Sequence, residues 1–159
     1  MSFDASFAWR QGLLAMAALC AAALAAAQPQ GGLYIAGAGF SFKVAAERAM
    51  SQNRGGQRFF LLSLPPETAA LGASSATPAQ RRLRERVLAA NGVLLVCQRD
   101  IDNGRIAAAS LAAGVVPVRG WPPLGGPALP PGERYFPDEN PAQLPASNEA
   151  LRQLRSTCA

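Results

Sequence analysis

Between Asn91 and Trp121 the chain carries a pattern that few folds accommodate. Residues 93–96, Val-Leu-Leu-Val, are an unbroken apolar run with no polar residue at alternate positions. A strand with one face in water alternates. A strand without alternation is covered on both faces, as in parallel sheets. Cys97 follows at the carboxyl end of this run, and then a polar loop with Asp100, Asp102, Asn103 and Gly104. Residues 106–113 read as a short helix, and Gly114 leads to a second apolar run at 115–118. Strand, loop, helix and strand make a βαβ unit with Cys97 at its carboxyl edge. In open α/β sheets that edge is where ligands and chemistry are found.

The alternation extends upstream. Residues 33–37 predict a first strand and Gly37-Ala38-Gly39 a turn. Residues 40–53 predict an amphipathic helix, with Phe40, Val44, Ala45 and Ala49 at helical spacing. Residues 58–64 are nearly all apolar and read as a second buried strand, stopped by Pro65-Pro66. A loop of small residues follows to Ala76. Thr77-Pro78-Ala79-Gln80 is then a capping box with proline at the first helical position. It starts a helix over 78–90 whose apolar stripe is Leu83, Val87 and Leu88. Arg81, Arg82, Arg84, Arg86 and Glu85 take the solvated face, and Asn91-Gly92 closes the helix with glycine as its cap. The order predicts a three-layer α/β domain, a mostly parallel sheet of about four to five strands with helices on both faces.

The first 27 residues are set apart. Arg10 precedes an apolar run from Leu13 to Ala27, about 15 residues long, short of the roughly 20 that cross a bilayer. Ala25-Ala26-Ala27 meets the small-x-small rule for cleavage. The segment reads as a secretory signal peptide, which predicts a periplasmic or secreted protein with no membrane span once it is removed. Residues 28–121 then form the α/β domain. Residues 122–159 are a tail, proline-dense from Trp121 to Pro145 with Tyr135 and Phe136 inside it. A short helix at 149–157 with Leu151 and Leu154 on one side closes the chain.

Composition excludes whole classes of chemistry. There is no histidine, and beyond residue 27 only two cysteines remain. A structural zinc site therefore lacks its usual ligands, and a Ser-His-Asp or Cys-His machine lacks its base. The formal charge is +5, nearly all of it arginine, with Lys43 the one lysine. These arginines are dispersed apart from the group at 81–86, and an exported protein has little call to bind nucleic acid. Gly37-Ala38-Gly39 suggests a phosphate cradle, but Phe42 stands where the dinucleotide fingerprint has its third glycine. A tight turn explains the motif better, and no cofactor is implied.

Cys97 and Cys158 carry the remaining possibilities. Cys97 is either a small buried hydrophobe closing a strand or a reactive thiol. Arg99 and Arg105 flank the loop and would stabilise a thiolate, while Asp100 and Asp102 oppose them. Cys158 pairs with Cys97 as a structural disulfide, resolves it from a mobile tail, or stands alone; an oxidising compartment favours pairing.

The order strand, Cys97, polar loop, Gly104, Leu111 and Gly114-Val115-Val116-Pro117-Val118 resembles the DsrE/DsrF-like family, best over residues 91–121. The resemblance implies a mostly parallel α/β domain and homo- or hetero-oligomers. It also implies thiol-based sulfur handling or redox chemistry on Cys97, with Arg99 or Arg105 steadying the thiolate and Cys158 resolving it. The alternative is a non-enzymatic binding or assembly module. There Cys97–Cys158 is a staple and the proline-rich tail meets a protein partner through Tyr135 and Phe136.

Overall fold

A computed structural model describes residues 31–126 and 128–159; the expected signal peptide, 1–27, lies outside them. Four strands, Leu33–Ala36 (β1), Phe59–Ser63 (β2), Gly92–Cys97 (β3) and Val115–Val118 (β4), form one sheet. All pairings are parallel and the spatial order is β1-β2-β3-β4. Helix Phe42–Gln52 (α1) joins β1 to β2, and Pro78–Ala89 (α2) joins β2 to β3. A helix of five residues, Gln98–Asp102 (α3), follows β3, and Asn148–Thr157 (α4) closes the chain. Among the described residues no helix is long and apolar enough to cross a membrane.

The three-layer α/β reading holds, and the strand order explains how its layers are filled. A sheet that grows in one direction through crossovers of one hand leaves its crossover helices on one face. Accordingly α1 and α2 share one apolar cluster: Phe42, Ala45, Ala46 and Ala49 of α1 and Leu83 and Val87 of α2 pack with Phe59, Leu61, Leu94 and Val96. The alternate residues of the same strands, Phe60, Leu62, Val93, Leu95 and Cys97, point to the other face. There Leu144, Leu154 and Cys158 cover them. The tail that composition separates from the domain therefore supplies the third layer. Every residue of β2 and β3 is buried, as unbroken apolar runs require.

Several local expectations are corrected. Phe40 and Val44 are exposed, 55% and 48%, and the buried face of the first helix is Phe42, Ala45, Ala46 and Ala49. Ser41 caps the helix by accepting from the Val44 N–H, which puts its start at Phe42 and sets which side meets the sheet. The capping box at Thr77 and Gln80 is present. Leu88 is nevertheless half-exposed, and Arg84 takes the buried position beside Leu83 and Val87. Asn91, not Gly92, adopts the left-handed backbone after α2, at φ 64°. Gly92 opens β3, where a Cβ would stand 2.7 Å from the Phe59 ring and 2.6 Å from Val87.

The helix expected over 106–113 does not form. α3 instead starts directly after Cys97, and a single 3-10 turn, Ala108–Ser110, is all that remains downstream. The N–H groups of Arg105 and Ile106 both donate to the Asp100 carbonyl, folding the chain back at Gly104, φ 70°. Ile106 enters the core, whereas Ala107, Ala108 and Ala109 are exposed and offer too little apolar surface to hold a helix.

The loop after β2 also contains structure. Glu67–Leu71 is a 3-10 helix that buries Ala70 and Leu71. Arg84 holds it: one guanidinium nitrogen donates to the carbonyls of Ala70 at 2.7 Å and Gly72 at 2.8 Å. Burial lowers the Arg84 pKa, with Arg81 adding to the effect and Glu85 opposing it. Replacing Arg84 by methionine keeps the stem but strips both carbonyls of a donor. The expected loss is about 2 kcal/mol in urea unfolding, since unpaired buried polar groups cost roughly 1–3 kcal/mol each. A loss below about 0.5 kcal/mol would mean that water replaces the guanidinium.

Candidate functional site

The sheet's carboxyl edge collects the last residues of the four strands, Ala36, Ser63, Cys97 and Val118; Ala36 opposes Ser63, and Ser63 opposes Val96, so Cys97 stands one residue beyond that register. Cys97 is the last residue of β3 and opposes Val118. Its side chain turns to the α4 face, where it forms a disulfide with Cys158, 61 positions on, at a Cα–Cα distance of 5.1 Å. Cys158 caps α4, and its N–H donates to the Leu154 carbonyl. Gly120 lets the end of the chain come this close, because a Cβ there would fall 2.0 Å from the Cys158 carbonyl carbon. Cys97 is 0% exposed and Cys158 2%, among Phe60, Leu62, Leu95, Val118 and Leu154.

The two flanking arginines converge on Asp100 and not on the cysteine. Arg99 Nε lies 4.0 Å and Arg105 Nε 3.9 Å from Asp100 Oδ1. Arg99 also donates to the backbone oxygen of Ala159. Asp100 is buried, and among the described residues its Oδ2 is without a hydrogen-bond partner, as is the buried Ser63 Oγ. Both arginine side chains are about half in solvent, at 42% and 58% exposure. Four sequence-predicted residues thus fall into two groups: a buried disulfide, and a buried carboxylate flanked by two cations. The signal for the second group was an acid with arginine one position before and five after it.

The glycine turn makes no phosphate cradle. Gly37 N–H donates to the Phe40 carbonyl and Phe40 N–H to the Gly37 carbonyl, so the loop closes on itself. The first free N–H of α1, that of Phe42, donates to Glu67 Oε2 at 2.7 Å. A carboxylate of the chain already takes the place an anionic ligand would occupy. Among the described residues no cluster of three or more acidic or cysteine side chains could hold a metal ion.

A second polar centre binds the proline-rich segment to α4. Arg155 is buried and pairs with Glu139, donating at 2.9 Å to Oε1 and also to Oε2. It donates again to the Arg119 carbonyl at 2.6 Å, and its guanidinium lies 3.5 Å from the centroid of the Phe136 ring. Trp121, Tyr135 and Phe136 pack on one another, with Trp121–Phe136 centroids 5.6 Å apart. No local pattern in the sequence marks this centre, because its residues are 16 and 36 positions apart.

Fold and site together define a small parallel α/β domain closed on its second face by a disulfide-anchored C-terminal helix. The chain matches no family model, no curated protein and no solved structure.

Proposed function

We propose that this chain is a non-enzymatic binding or assembly module in which Cys97–Cys158 is a structural staple. The burial of both cysteines in the apolar cluster under α4 carries this reading. Thiol–disulfide exchange needs a thiolate to reach a sulfur, and burial denies the approach. Arg99 and Arg105 support the reading too, since both pair with Asp100 and neither is dedicated to a Cys97 thiolate. On this reading the DsrE/DsrF-like pattern of residues 91–121 describes a scaffold. The export expected from residues 1–27 would supply the oxidising conditions that a staple needs.

The thiol reading, sulfur handling or redox chemistry through Cys97 with Cys158 as resolving partner, makes the opposite demand on reactivity. The folded protein is treated with excess dithiothreitol at neutral pH, then with a maleimide, and the labelled peptides are identified by mass. Labelling of Cys97 and Cys158 no faster than global unfolding is expected. Rapid labelling of Cys97 in the folded protein, or an additional sulfur on it, would overturn the staple and establish thiol chemistry.

A further inference from the structure

We propose that the outer edge of β1, which no strand among the described residues pairs, binds an extended peptide as a fifth strand, one with an apolar side chain two residues from an acidic one. This rests on the reading of the chain as a binding module. It begins from the backbone. The Gly32 carbonyl accepts from Phe60 N–H and the Ala36 carbonyl from Leu64 N–H. In a parallel ladder alternate residues turn their N–H and C=O to the same neighbour. Gly32, Tyr34 and Ala36 therefore serve β2, and Leu33 and Ile35 turn both groups outward. Groups of this kind recognise an extended chain.

The two edges of the sheet are treated differently. β4 carries Pro117, which removes a donor and is tolerated because that strand lies at the edge. β1, Leu-Tyr-Ile-Ala, has no proline, charge or bulge to discourage pairing. A groove of about 450 Å³ runs along it, walled by Phe40, Val44 and Arg48 on one side and Gln153 of α4 on the other. Phe40 and Val44, which the sequence placed in the core, are the exposed apolar groups of this wall.

Spacing and charge select the occupant. Residues i and i+2 of a strand are about 6.6 Å apart on one face. Residues i and i+4 of a helix, here Val44 and Arg48, are about 6 Å apart. A strand laid on β1 thus sets one side chain against Phe40 and Val44 and the next on that face against Arg48. Among the described residues Arg48 has no ion pair, whereas Lys43 is held by Glu47. An acidic side chain complements it. A second copy of the chain fits worse. Two-fold antiparallel pairing requires opposed residues to share a face, which puts the axis on a residue of β1 and the α1 helices of both copies on one face. Such a pairing would set two copies of the same wall, each with its Arg48, side by side in a chain of formal charge +5.

A displayed library of random decapeptides is panned on the purified protein, and a selected peptide is synthesised with a fluorophore. Enrichment of Asp or Glu two residues from an apolar side chain is expected. Arg48→Glu and Phe40→Asp alter exposed side chains. Each is expected to weaken binding by about tenfold or more, with circular dichroism unchanged. Methylating alternate backbone nitrogens of the peptide tests strand pairing without altering the protein, and one of the two methylation patterns is expected to abolish binding. No enrichment, indifference to Arg48→Glu, or indifference to both methylation patterns would overturn the proposal. So would a dimer in sedimentation that Phe40→Asp dissolves, because the second copy would then own the edge. If peptides fail while Cys97 stays inert, the module reading survives; a reactive Cys97 removes that reading whatever the peptides do.

Discussion

Replacing Cys97 and Cys158 together by alanine is expected to destabilise the domain by about 4 kcal/mol, measured by urea unfolding against the oxidised parent. The bond closes a loop of 61 positions, and freeing that loop returns conformational entropy to the unfolded chain. Alanine is chosen because serine would place hydroxyls in an apolar cluster. The loss is expected to fall on the layer formed by α4, since the crosslink ties that helix to the end of β3 while α1 and α2 pack on the opposite face. Protease cleavage before α4 at low urea, with the sheet still folded, would be the local signature. A loss below about 1 kcal/mol would show that Leu144 and Leu154 hold the layer by packing alone.

Arg155→Met carries an effect of similar size by a different mechanism. Its guanidinium is joined to Glu139, to the Arg119 carbonyl and to the Phe136 ring, and its side chain is 5% exposed. Methionine preserves much of the stem packing but leaves Glu139 as an uncompensated, nearly buried charge. Breaking such a pair from one side costs about 3–5 kcal/mol. The partners lie on the segment between β4 and α4, so that segment should come free first. The expected result is rapid proteolysis within 121–145 and a matching drop in the urea midpoint. Adding Glu139→Gln should recover part of the loss, because it removes the stranded charge. Equal damage from the single and double variants would place the effect in the lost cation–ring contact instead.

These two expectations fall where reading the sequence is weakest. The disulfide was one of three arrangements open to Cys97 and Cys158, and the Arg155 centre left no trace in any local window. Short-range signals fared better. Thr77 and Gln80 close a capping box within four residues, and the all-apolar runs of β2 and β3 require cover on both faces. Phase was harder. Phe40 and Val44 fit an apolar stripe in isolation, yet the Ser41 cap turns a face of Phe42 and three alanines toward the sheet. Arg84 shows the same limit, since a long side chain on a helix reads as solvated until the carbonyls it reaches are known.

Periodicity, caps and breakers act over a few residues, so the amino-acid order alone settled the strands, the two long crossover helices and the parallel α/β class. It also excluded histidine-based catalysis. Strand order, and with it the choice of which elements cover the second face, depends on how crossovers wind through space. Only the tertiary structure decided that α4 forms the third layer, that Cys97 meets Cys158 beneath it, and that Arg99 and Arg105 turn to Asp100. Those outcomes are contacts between residues up to 61 positions apart, and no local window of the chain contains both partners.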